Sequence, residues 1–175
     1  MTSRRVHEIQ LLDTTTSVKE SRTLLRKSGD VSFVTRVVPR SLVMQCPCGC
    51  GDVFSVNLDP RVGPAWLVYQ TSLGLTVYPS IWRESGCRSH FIVWNSRVIF
   101  MGAAGEWFAA EASADLQRKV LRALGLEESK HFTDLARDIN EVPWDVLMAC
   151  RSLAAARLLR EGQPGVFAMT HLTEP

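Results

Sequence analysis

Hydrophobic positions recur with a period of two through the middle of the chain and with a helical period over its last third. VSFVTRVV, SLVMQC, DVFSVNL, AWLVYQT, LTVYPSI, HFIVWN and RVIFM lie between residues 31 and 104. They are short, rich in β-branched and aromatic side chains, and separated by Gly, Pro, Asn and Asp, the pattern of strands joined by turns. Asn95 and Ser96 stand between two such runs and suit a tight hairpin turn, which places His90 near the far end of that hairpin. Ahead of the strands, SVKESRTLLRKSG carries Ser17 and Glu20 at capping-box spacing before Leu24 and Leu25. This predicts a short helix stopped by Gly29.

From about residue 111 the apolar spacing becomes helical. ADLQRKVLRALG puts Leu116, Val120 and Leu124 on one face, with Gly125 as the stop. HFTDLARDIN offers Thr133 as N-cap, Phe132 as a staple, and Leu135 and Ile139 facing inward. A third helix is predicted from Pro143, a residue suited to the first helical position, to Gly162, with Leu147, Cys150, Ala154 and Leu158 as its stripe. GQPGVFAMTHL then reads as a turn and a wing strand. Three helices followed by a strand resemble a winged helix-turn-helix. The expected fold class is α+β: a zinc-stabilised, mainly antiparallel β domain followed by a small winged-helix-like helical domain. The boundaries drawn are a basic N-terminal helical segment over 1–30, a metal-binding β domain over 31–104 and the winged-helix-like domain over 105–175.

Composition narrows the function classes. The 175 residues include 46% hydrophobic and 22% charged side chains, a globular balance that argues against long disorder. A net charge of +2 is too small to mark a nucleic-acid or membrane-surface binder. No apolar run approaches the roughly 18 residues of a membrane span. The start MTSRRVHEIQLLDTTT lacks the apolar core of a signal peptide, so a cytoplasmic location is expected. Charge is unevenly spread: residues 1–40 carry eight Lys/Arg against four Asp/Glu, and residues 105–175 carry eight against eleven.

The cysteines carry the strongest chemical signal. Cys46, Cys48 and Cys50 fall together in QCPCGCGD, and Cys87 stands in GCRSHF, three residues before His90. An odd count of five, Cys150 included, without a secretion signal makes disulfides a poor expectation. Zinc takes four N or S ligands in a tetrahedron, usually as tight groups from separate loops. Cys46, Cys48, Cys50, Cys87 and His90 are therefore the candidate ligands, one more than four positions require. The spacing leaves open which of them is the spectator. Pro47, Gly49, Gly51 and Gly86 permit the tight backbone paths such loops need. Zinc is favoured over a Rieske-type cluster because the first group contains no histidine. A closed shell makes the zinc structural. A catalytic zinc needs an open position and a nearby base, for which Glu84 and Asp52 are the acids close in sequence.

Other candidates carry bland readings beside the sharp ones. Cys87 could be a nucleophilic thiol with His90 as partner, but two residues this close in a metal-like cluster are poor grounds for it. Cys150 reads as helix packing, and His7, His131 and His171 as surface residues. Trp66, Trp82 and Trp94 read as core or sheet-face aromatics, with Trp82 and Arg83 as an alternative exposed contact pair. The acidic tail opposes DNA binding, since a DNA reader needs several cations aimed at phosphates. Protein interaction is the better use of the tail, with Trp144 as an aromatic anchor.

The runs MQCPCGCGDVFSVNLDP, AWLVY, LTVYPSIW and SGCRSHFIV, in this order, resemble the bacterial and phage domain-of-unknown-function family 6527 over about residues 31 to 102. CPCGCG and the later GCxxH are the most specific parts. The resemblance maps Cys46, Cys48, Cys50, Cys87 and His90 onto the family's metal ligands. Members neighbour bacterial genes for ubiquitin-like, E1-like and E2-like proteins, which implies protein partners of those kinds. The expectation is a noncatalytic, zinc-binding adaptor or ligase-like accessory protein of a bacterial ubiquitin-like conjugation pathway. The alternatives are a metal-dependent hydrolase or peptidase of that pathway and a nucleic-acid-binding regulator.

Overall fold

The period-two segments form two four-stranded sheets, and the helical segments form a separate body. The computed structural model describes residues 5–101, 113–125 and 129–170. They divide into one unit within Met1–Ala103 and a second within Ala104–Pro175. In chain order the first unit contains β1 (Gln10–Leu11), α1 (Val18–Leu24), β2 (Asp30–Thr35), β3 (Pro39–Gln45) and β4 (Val53–Asn57). After a single 3₁₀ turn at Pro60–Val62 come β5 (Leu67–Thr71), β6 (Gly74–Trp82), β7 (His90–Trp94) and β8 (Arg97–Phe100). The sheets have the orders β1-β2-β3-β4 and β5-β6-β7-β8. All pairings are antiparallel except β1 with β2.

Side-chain alternation explains how the sheets share a core. Leu42 and Met44 of β3 turn to one face, where Val31 and Val56 of their own sheet meet Val77, Phe91, Val93 and Phe100 of the other. Val43, between them, turns to the opposite face and packs with Leu25 and Val34. Both faces of β3 are thus covered, which is why SLVM reads as a continuous apolar run. Phe91 is fully buried in the shared core. Phe91→Ala is expected to lower the stability of this unit by about 3 to 5 kcal/mol, read as a drop in its urea midpoint.

Local signals place the remaining pieces of the first unit. Ser17 Oγ accepts from Glu20 N–H at 3.2 Å, while Glu20 Oε2 accepts from Thr16 N–H at 3.1 Å, so the capping box closes one residue earlier than its usual form. The β7–β8 connection is the two-residue turn at Asn95 and Ser96, with φ of 50° and 61°, the left-handed pair a type I′ hairpin requires.

The second unit contains α2 (Ala114–Leu124), β9 (Ser129–His131), α3 (Phe132–Asp138), α4 (Pro143–Ala155), β10 (Leu159–Gln163) and β11 (Val166–Met169). Its three strands are antiparallel in the order β10-β11-β9. Leu116, Val120 and Leu124 are buried together with Leu135, Leu147 and Cys150. Three expectations need correction. The third helix stops at Ala155 because Arg157, with φ of 59°, takes the left-handed position that ends a helix. Leu158 is consequently 47% exposed, and Leu153 fills the stripe in its place. The cap of α3 is His131, whose ring accepts from Thr133 N–H, rather than Thr133. Trp144 is only 9% exposed and stacks on Phe132, so it anchors the interior and presents no docking surface. His171 and residues 111 and 112 lie outside the described residues. Four helices and three mainly antiparallel sheets make a mixed α+β chain among the described residues. No described helix is long and apolar enough to cross a membrane.

Candidate catalytic pair and metal centre

Two loops of the first unit, one from each sheet, bring the cysteines together. The β3–β4 connection carries Cys46, Cys48 and Cys50, and the β6–β7 connection carries Cys87. Cys46 N–H bonds to the Asp52 carbonyl at 2.8 Å, and Gly49 N–H bonds back to the Cys46 carbonyl at 3.3 Å. That tight path relies on Gly49 and Gly51, with φ of 85° and 84°, where a side chain would be strained.

The four Sγ atoms all lie within 4.8 Å of one another. Cys46 Sγ is 3.3 Å from Cys48 Sγ and 3.7 Å from Cys87 Sγ, well beyond a disulfide bond. A tetrahedron with metal–sulfur bonds of about 2.3 Å has sulfur–sulfur edges of about 3.8 Å. The four thiols therefore fit one metal ion. Cys46 is buried, Cys48 and Cys87 are half-buried, and Cys50 is exposed.

The second layer around the thiols is polar. Ser89 Oγ lies 3.2 Å from Cys87 Sγ and 3.5 Å from Cys46 Sγ. Burial pushes the Cys46 thiol well above its ordinary range; Cys50 is exposed as a residue, but desolvation of its sulfur, which faces the other three, pushes that thiol up to about 11. For Cys87 burial acts the same way, but bonds from the Ser89 hydroxyl and N–H, aided by the neighbouring thiols, outweigh it and hold the group down to about 6. Arg83 ties the two loops together. Its guanidinium reaches Asp52 at 3.3 Å and lies over the Phe54 ring at 4.4 Å, and its N–H bonds to the Ser89 carbonyl at 2.9 Å. Asp52 is thereby engaged in an ion pair with Arg83.

The fifth candidate, His90, has a different neighbour. Successive side chains on a strand face opposite ways, so where Ser89 turns to the thiols, His90 turns from them. His90 Nε2 lies 3.0 Å from Ser80 Oγ on β6. Both residues are half-buried and so remain within reach of solvent. Ser80 lies within an irregularity in the β6–β7 ladder: Val77 pairs with Val93, but the next paired residues are Ile81 with Phe91 and Trp82 with His90. The extra residues on β6 include Pro79, for which an interruption of the ladder is the permitted place in a strand. The Ser80 carbonyl accepts from the Trp66 indole N–H at 3.3 Å, which fixes the backbone at this point.

A hydroxyl within hydrogen-bond reach of an imidazole nitrogen is an arrangement that acyl-transfer chemistry can use. A family model described as a bacterial ubiquitination-like system serine protease (BubE) matches residues 17–101. The BubE match links the chain to bacterial ubiquitination-like systems, and its span holds Ser80, His90 and the four clustered cysteines. No curated protein and no solved structure matches the chain.

Ser80, beside His90, is not among the residues the sequence singles out. His90 drew notice only as a ligand or as a partner for Cys87. The available signal was the shared face: Trp82 lies opposite His90, and Ser80, two residues from Trp82, shares its side of β6. Reading that requires the register between β6 and β7, which no local sequence signal sets.

Proposed function

We propose that this chain is a serine peptidase of a bacterial ubiquitination-like system, with Ser80 as nucleophile and His90 as its base. The observation that carries the reading is the 3.0 Å separation of Ser80 Oγ and His90 Nε2. The description of the matching BubE family as a serine protease supports it. In the reaction, Ser80 Oγ attacks the carbonyl carbon of a peptide bond as its proton passes to His90 Nε2. The imidazolium returns that proton to the departing amine, leaving an acyl-serine. Water, deprotonated by the same imidazole, releases the acid and restores Ser80. This moves the weight from the noncatalytic adaptor to the hydrolase, with serine rather than a metal at its centre.

Zinc is the metal of choice for Cys46, Cys48, Cys50 and Cys87, since four thiolates make a closed structural shell. Its contribution is to tie the β3–β4 and β6–β7 loops, and the second of these leads directly into His90. His90 is then the spectator among the five candidates. In the second unit, the order α2-β9-α3-α4-β10-β11 supports the winged-helix-like reading. Its net acidity favours a protein partner, such as a ubiquitin-like, E1-like or E2-like protein, over nucleic acid.

The test is covalent. A fluorophosphonate reagent phosphonylates an activated serine, with loss of fluoride. Peptide mapping of the treated chain is expected to find the adduct on Ser80, and Ser80→Ala is expected to lose it. Adducts elsewhere, or none, would return the chain to the adaptor reading.

A further inference from the structure

Beside the catalytic pair, the end of β6 has an open edge among the described residues. The strand runs over nine residues, Gly74–Trp82. On one side β5 covers only Gly74 to Tyr78, the last pair being Leu67 with Tyr78. Pro79–Trp82 therefore has no strand on that side among the described residues.

The direction of the backbone groups follows from bonds already made. Arg83 N–H points toward β7, where it meets the Ser89 carbonyl. The Ser80 carbonyl points the other way, to Trp66. The His90 carbonyl is taken by Met101 N–H at 2.8 Å, on the β8 side, so His90 and Trp82 face each other as a pair without mutual backbone bonds. Because alternate residues share a direction along a strand, the Trp82 N–H and C=O turn to the open edge, as the Ser80 carbonyl does.

The side chain of Trp82 is equally unusual. It is 63% exposed, the wrong place for an indole that has only packing to do. Its ring lies 6.0 Å from the His90 ring and is tilted 34° to it. The bland core reading of Trp82 thus gives way to the exposed one. A large amphipathic ring stands beside the catalytic base, at a stretch of strand that has no neighbouring strand on one side among the described residues.

We propose that Trp82 is the substrate-binding residue of this site. The substrate is an extended polypeptide segment that adds to the open edge of β6. Its backbone pairs with the Trp82 N–H and C=O, and a residue next to the cut bond packs on the indole. Edge addition gives main-chain hydrogen bonds without regard to sequence, and the side-chain contact supplies selectivity. The same pairing lays the scissile carbonyl beside Ser80. A folded loop that cannot straighten is excluded.

The proposal rests on the serine-peptidase reading, and its test separates the two. Three readings are taken on the parent chain, Trp82→Ala and Trp82→Phe: the rate of Ser80 phosphonylation by a small fluorophosphonate, hydrolysis of p-nitrophenyl acetate, and kcat/KM for pooled internally quenched peptides. The expected result for Trp82→Ala is a fall in peptide kcat/KM of about 10- to 100-fold, dominated by KM and well beyond any change in the two small-reagent rates. Trp82→Phe, which keeps a ring, recovers most of the peptide rate. In the parent chain the peptides slow phosphonylation of Ser80. Unchanged peptide cleavage in Trp82→Ala overturns the proposal alone. So does a parallel loss of all three rates, which would make Trp82 a support for His90. Absence of Ser80 phosphonylation in the parent chain overturns the peptidase reading and this one with it.

Discussion

His90→Ala is expected to lower kcat for peptide cleavage by about 10³- to 10⁶-fold while leaving the metal content of the chain unchanged. A serine hydroxyl is a weak nucleophile at neutral pH, and it gains its reactivity from the base that accepts its proton. With Nε2 removed, Ser80 Oγ loses the acceptor 3.0 Å away, and the departing amine loses its proton donor. Ser80→Ala removes the other half of the same unit, so the double variant should be scarcely worse than either single one. The two readouts divide the roles open to His90 from sequence. A base variant holds its metal and loses turnover. A ligand variant loses metal and stability together. Elemental analysis of purified His90→Ala beside its kinetics decides the matter, and depleted metal with residual turnover in proportion to folded protein would sink the assignment of His90 as base.

The placement of His90 beside Ser80 shows what kind of information a sequence carries here. Features governed by a few neighbouring residues were legible: the Ser17 cap, the left-handed turn at Asn95 and Ser96, the face of Leu116, Val120 and Leu124, and the clustering of cysteines. Each depends on local geometry with a fixed period. What the sequence hid depends on register between segments or on conformations without a residue signature. Arg157 ends α4 in a left-handed conformation usually left to Gly or Asn, and nothing in RLLREG announces it. Ser80 and His90 meet across two strands whose register changes between Val77 and Ile81, so the pair shows only once that register is known. The five-ligand ambiguity has the same origin. Spacing counts residues along the chain, whereas the division between Ser89 and His90 is one of strand faces. Adjacent residues therefore have different neighbours, Ser89 the thiols and His90 the Ser80 hydroxyl.

The metal itself is expected to hold the first unit together, and Cys50→Ser is the sharpest probe of it. Cys46 is buried, so its replacement also damages packing, but Cys50 is exposed and its Sγ has little to lose except a metal bond. Binding to a site that does not exist in the unfolded chain adds its free energy to folding. For structural zinc that is about 10 to 16 kcal/mol in small peptides, as large as the whole stability of a typical domain, about 5 to 15 kcal/mol. The two loops joined at the site belong to different sheets, and the second leads into β7 and the Phe91 core. Losing one of four thiolates should strip the metal, lower the melting temperature of the first unit by tens of degrees, and abolish peptide cleavage even though Ser80 and His90 are intact. A strong chelator on the parent chain should do the same, reversibly on adding zinc. Cys150→Ser is the control: its thiol is buried in the second unit, where burial pushes it up to about 12, and it should leave metal content unchanged. Metal analysis and calorimetry of the two variants are the measurement, and a Cys50→Ser chain that keeps its metal and its melting temperature would rule out the four-thiol site.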